Sequence, residues 1–149
     1  MYGKAWASFG RELDMLSQDV CYFYEAHSVY RNYGGIAFES DEGSNIARAL
    51  GDNKAAILVN HGLLTVGETV DEAAYLYTLL EKSCRIQLMV ESAGLPKLLV
   101  GDEEAANTFR MASQPVSSDL FIERNALLTI RCRRRCLSSS SRVTDWKNA

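Results

Sequence analysis

Lys54-Ala-Ala-Ile-Leu-Val-Asn-His61-Gly-Leu-Leu-Thr-Val-Gly67, continued by Glu68-Thr-Val-Asp-Glu-Ala-Ala74, is the stretch on which the reading of this chain turns. Residues 55–60 run apolar without alternation, the pattern of a strand buried on both faces. His61-Gly62 breaks that run. Residues 63–66 then read as a second short strand, ended by Gly67. Thr69 and Glu72 have the spacing of a capping box, which opens a helix. That helix is predicted to run to about residue 93, with Gly94 as its stop and Pro96 just beyond. Ala73, Leu76, Tyr77, Leu80, Cys84 and Leu88 are its expected apolar stripe.

His61 is the residue in this stretch capable of metal or acid/base chemistry. A histidine at the carboxyl end of a buried strand, followed by glycine, sits at a sheet edge, where ligands bind in open α/β sheets. Imidazole suits zinc, copper, iron or nickel. A histidine satisfied by backbone and water fits the same residues, and spacing alone leaves the two readings open. A catalytic zinc needs about three protein ligands and an open position. The one other histidine, His27, lies on a different element, and neither has an H-x-H or H-E-x-x-H neighbour. No Ser/His/Asp order and no phosphate-binding glycine loop is present. Gly62 and Gly67 frame a loop that lacks the Lys-Ser/Thr such a loop requires.

Outward from this centre, residues 2–9 are predicted to form a short helix closed by Gly10. Residues 17–29 read as a helix capped by Ser17, with Val20, Phe23, Tyr24 and His27 on one face, which makes His27 a boundary histidine. Residues 34–38 read as a short strand, and Ser40 as the cap of a helix over 41–50. Residues 102–111 read as an acidic-capped last helix. The tyrosines at 22, 24, 30 and 33 are read as core or interface aromatics rather than a ligand pocket. Beyond Pro115 the organisation fails, and the Arg/Cys/Ser-rich end is expected to be disordered.

Composition sets the outer bounds. A chain of 149 residues can bury one core. Residues 1–130 carry ten Lys/Arg against eighteen Asp/Glu, a net of −8, whereas residues 131–149 carry six against one, a net of +5. An acidic body argues against nucleic acid as the main partner. No apolar run reaches the roughly 18 residues of a membrane span, and the start lacks a signal-peptide pattern, so a cytoplasmic protein is expected. Of the four cysteines, Cys21 and Cys84 read as small core hydrophobes, and Cys132 and Cys136 lack the partners of a zinc site.

Asn60-His61-Gly-Leu-Leu-Thr-Val-Gly67 with Thr69-Val-Asp-Glu-Ala-Ala74 resembles the class II aldolase/adducin family. Tyr2-Gly-Lys-Ala, Ser17-Gln-Asp19, Tyr33-Gly-Gly35, Glu42-Gly43 and Leu80-Glu-Lys-Ser-Cys-Arg-Ile-Gln-Leu88 fit the same pattern, so the resemblance covers about residues 1–112. It implies an α/β fold, a three-layer α/β/α sandwich around a mostly antiparallel sheet, here incomplete. It also implies a zinc-type divalent metal held by three histidines, two from an H-x-H motif and the third from the Asn-His-Gly segment. His61 is that third ligand by resemblance. In such a lyase the metal polarises a carbonyl and stabilises the enediolate formed when a carbon–carbon bond breaks, on small sugar-phosphate-like substrates.

The departures shape the expectation. The H-x-H motif would fall just upstream of Tyr2-Gly3, and the acid/base glutamate further upstream still. Residues 1–115 are therefore expected to be a partial domain and 116–149 a divergent tail. One ligand of three predicts no aldolase activity for the chain as it stands. The family also implies homo-oligomers. The alternative the resemblance offers is a non-catalytic, adducin-like module binding actin and the membrane cytoskeleton.

Overall fold

The computed structural model describes residues 1–32 and 40–112. Its elements are α1 (Tyr2–Ala7), a single 3-10 turn (Val20–Phe23), β1 (His27–Tyr30), α2 (Ser40–Leu50), β2 (Ala55–Leu58), β3 (Gly62–Thr65), α3 (Val70–Ala93) and α4 (Asp102–Ala112). The strands form one mixed sheet in the order β1-β2-β3. β1 pairs parallel to β2, with Tyr30 opposite Leu58, and β2 pairs antiparallel to β3, with Leu58 opposite Gly62.

β2 is covered on both faces, as its unbroken apolar run predicts. Ala55 and Ile57 join a core cluster with Trp6, Phe23, Leu76 and Leu80, supplied by α1, the 3-10 turn and α3. Ala56 and Leu58 point the other way, against Tyr30, Ile46, Ala49 and Leu50 of β1 and α2. Helices thus flank the sheet on both sides, giving three layers in an α/β fold. Burying Ile57 or Leu80 stabilises the fold by about 2–3 kcal/mol each.

The start of α3 follows the predicted box with one change of partner. Thr69 Oγ1 accepts the Glu72 N–H at 3.1 Å, while the Glu72 carboxylate takes the N–H of Glu68 at 2.8 Å rather than that of Thr69. Its other oxygen takes the Lys54 ammonium at 3.1 Å, which ties the approach to β2 onto α3. Burial raises the Glu72 carboxyl, but the Glu68 N–H and Lys54 outweigh it and hold the group below its ordinary value. Gly94, left-handed, ends the helix.

Two expectations are corrected. Residues 17–29 are not one helix: after the 3-10 turn the chain passes Glu25 at φ 50° and becomes β1. Pairing with β2 satisfies this backbone more fully than a short isolated helix would. The stripe of α3 also lies further round. Leu76, Leu79, Leu80, Ser83, Cys84 and Gln87 are buried, and Tyr77 is exposed. Ser83 and Gln87 escape a purely apolar count, because each is buried with its polar atoms bonded. The strand expected at 34–38, and everything expected beyond residue 112, lie outside the described residues.

Gln87 is the centre of a polar latch. It accepts the Asp14 N–H at 3.0 Å and donates to the carboxylates of Asp14 (2.7 Å) and Glu91 (2.9 Å). Lys97 reaches both carboxylates at 2.5 Å. Val100 N–H donates to Met15 O nearby, at 2.8 Å. The latch thus joins the loop after α1, the end of α3 and the segment before α4.

Urea unfolding is expected to place Leu80→Ala about 2–5 kcal/mol below the parent chain and Tyr77→Ala within about 1 kcal/mol of it. The latch carries a pH signature. Burial raises Asp14, yet Lys97 and Gln87 bring it net below its ordinary value; Lys97 and Gln87 also lower Glu91. Their contribution is present above the unfolded carboxylate range, about pH 4, and is lost as pH falls through the depressed folded values. The urea midpoint should drop on acidification below about pH 4, and Lys97→Met should flatten that drop.

Candidate functional site

His61 stands exposed on the hairpin between β2 and β3. Its N–H donates to Leu58 O at 2.9 Å, closing a tight turn in which Asn60 takes φ 59°. Asn is among the few non-glycine residues that tolerate this conformation. Gly62 follows at φ 151°, buried, where a side chain would be strained. The Asn60 N–H donates to Ala7 O at 3.4 Å, so the turn is pinned to the end of α1.

Because β1 and β2 run parallel, their carboxyl ends open on the same edge of the sheet. Val59 N–H donates to Tyr30 O at 2.9 Å there. Exposed Arg31 follows β1 directly, and its Nη1 and the Val59 methyls both crowd Gly10, at 3.2 and 3.4 Å from where a Cβ would stand. Arg31 is the residue that sequence reasoning missed. Its one available signal was its position immediately after a strand that the sequence did not reveal as a strand. A cation and an imidazole at one sheet edge suit an anionic or carbonyl-bearing ligand.

His27 occupies the opposite kind of environment. Its Nδ1 lies 2.7 Å from Phe23 O, and its Nε2 accepts the Leu13 N–H at 3.1 Å. Both ring nitrogens are used by backbone, with the proton on Nδ1, so His27 is a structural histidine at the start of β1. The tyrosines do not gather into a pocket. Tyr30 is buried and donates to Glu42 at 3.1 Å; burial first and then Glu42 push its hydroxyl up. Tyr22 instead packs edge-on to Tyr75. Tyr33 is outside the described residues.

Cys21 and Cys84 are fully buried free thiols. Burial, with Glu81 adding to it, pushes the Cys84 thiol up to about 12, so it stays protonated and inert. Two cavities, of about 360 and 420 Å³, lie elsewhere and are not lined by His61.

The metal implied by the resemblance can be tested against these donors. Among the described residues no group of three or more His, Cys, Asp and Glu side chains is placed to hold an ion. His61 supplies one imidazole where a catalytic metal needs about three protein ligands, so the described residues do not fit a complete centre. Among the described residues, no helix is long and apolar enough to cross a membrane.

Comparison with known proteins agrees with the fold. The sequence model of the class II aldolase and adducin N-terminal domain matches residues 1–88, a span that contains His61. The chain belongs to the class II aldolase/adducin family. It is 48% identical over 93 residues to the meiotically up-regulated gene 14 protein of Schizosaccharomyces pombe, covering 62% of this chain and 36% of that protein. It is 41% identical over 120 residues to the decarboxylase NovR of Streptomyces niveus, covering 80% of this chain and 43% of that one. Among solved structures, the L-fuculose 1-phosphate aldolase of Glaciozyma antarctica superposes with a TM-score of 0.71 at 33% identity, covering 88% of this chain and 50% of that one. The chain therefore spans between about a third and a half of the length of these relatives.

The two histidines should separate in mutagenesis. His61→Ala is expected to leave the unfolding free energy in urea within about 0.5 kcal/mol of the parent, as for an exposed side chain. His27→Ala removes two backbone partners and should cost about 2–3 kcal/mol.

Proposed function

We propose that this chain is the C-terminal part of a domain from the metal-dependent, zinc-type branch of its family. The lineage cleaves carbon–carbon bonds in small sugar-phosphate-like substrates, and the 149 residues are inactive by themselves. In this reading residues 1–115 are the partial domain and residues 116–149 a divergent tail. A cytoplasmic setting and assembly into homo-oligomers belong to the same proposal.

The observation that carries it is His61. An exposed imidazole stands on a tight turn at the carboxyl edge of the sheet, the edge where Arg31 follows β1 and where ligands bind in open α/β sheets. Asn60 and Gly62 are required by the turn itself, as in any tight hairpin, so it is the imidazole set between them that points to a ligand. This favours a catalytic lineage over an adducin-like module binding actin, which family membership supports equally. The silence of the isolated chain rests on the donor count. Among the described residues no group of three or more His, Cys, Asp and Glu side chains is placed to hold an ion, and one imidazole falls short of the about three protein ligands that a catalytic metal needs.

The purified chain, supplied with Zn²⁺ or Mn²⁺ and L-fuculose 1-phosphate or a related sugar phosphate, is expected to release aldehyde no faster than buffer. Metal-dependent cleavage that is lost in His61→Ala would overturn the proposed inactivity. Cosedimentation with filamentous actin, unaffected by His61→Ala, would instead support the adducin-like reading.

A further inference from the structure

Helix α1 has six residues, too few to be stable alone, so its position is set by what holds it. At its start, the Glu81 carboxylate on α3 accepts the Tyr2 N–H on Oε1 and the Gly3 N–H on Oε2, each at 2.7 Å, and the Met1 nitrogen also reaches Oε1. At its end, Ala7 O accepts the Asn60 N–H, one residue before His61. Between these points α1 lies directly on β3. A Cβ on Gly3 would stand 2.3 Å from Leu63 Cδ1 and 2.7 Å from Glu81 Oε2, so any larger residue would displace one of these side chains, and Lys4 Cγ lies 3.7 Å from where a Gly62 Cβ would be. The helix is therefore a short strut, anchored to α3 at one end and to the histidine turn at the other.

We propose that Glu81 is a positioning residue for His61: it fixes α1, and α1 fixes the β2–β3 hairpin that carries the imidazole. The inference rests on the reading that His61 is the functional side chain of this sheet edge. Glu81 does not act on the imidazole itself; its effect passes through Tyr2, Gly3, Ala7 and Asn60 backbone. The chemistry requires a carboxylate. Both oxygens accept, and an N–H donor sits against each, so the single acceptor of glutamine leaves one N–H facing an NH₂ group. Aspartate is one methylene too short to reach both. Burial raises Glu81, but the Met1 nitrogen and the Gly3 and Tyr2 N–H groups bring it net below its ordinary value, so both oxygens are acceptors at neutral pH.

The sequence has two histidines, and His27, held by Leu13 and Phe23, serves as an internal reference. In the full chain, NMR of Glu81→Gln should show the Asn60 amide exchanging about tenfold faster, with the His61 ring resonances shifted. The Ala56 and Ile57 amides and the His27 ring should stay at their parent values. A folded Glu81→Gln with Asn60 and His61 unchanged would overturn the proposal. So would acceleration of Ala56 and Ile57 in step with Asn60, the mark of plain destabilisation. If the variant does not fold, the parent chain decides: in low urea, the Ala5 and Asn60 amides should open as one unit with a common urea dependence, below the global opening of Ala56 and Ile57. Separate dependences would overturn the coupling. No metal or substrate enters these measurements, so failure of the proposed lineage chemistry leaves their outcome distinct.

Discussion

The structure depends on the burial of β2 on both faces. Ala55 and Ile57 seat α1 and α3; Ala56 and Leu58 seat α2. A strand without a polar face has one stable place, the middle of a sheet between two layers of helix. β1 then pairs parallel on one side and β3 antiparallel on the other. The turn between β2 and β3 is forced to the sheet edge, and His61 goes with it.

Around that strand, polar contacts decide how the remaining pieces are aimed. Glu72 joins Lys54 to the start of α3, Gln87 joins the loop at Asp14 to its end, and Glu81 holds α1 midway between them. All three are on α3, about 36 Å long at 1.5 Å per residue, so one helix serves as the frame onto which three distant segments are tied. Each tie uses a partly or wholly buried side chain with its acceptors filled, the arrangement in which a hydrogen bond is most costly to break.

Membership of the class II aldolase/adducin family accounts for the architecture. The chain spans only part of its relatives, and its described residues bring one imidazole to the sheet edge. The two histidines show how little residue type decides by itself. His27 spends both nitrogens on backbone, whereas His61 stands on an exposed turn built from two residues with positive φ.

The buried strand, the histidine turn, the Thr69 cap and the Gly94 stop of α3, the helix over α2 and the acidic start of α4 are determined by local pattern. Each rests on contacts within a few residues, which periodicity and capping chemistry report directly. The sequence by itself therefore settled the α/β class and pointed to His61. The tertiary structure alone decided that residues 27–30 are a strand, because β2 offers that backbone a partner 28 residues away in register. It also decided that Gln87 is core, that Arg31 shares the edge with His61, and that Glu81 holds α1. These depend on pairings across 70 or more residues, or on which strand lies beside which, and no local period encodes them.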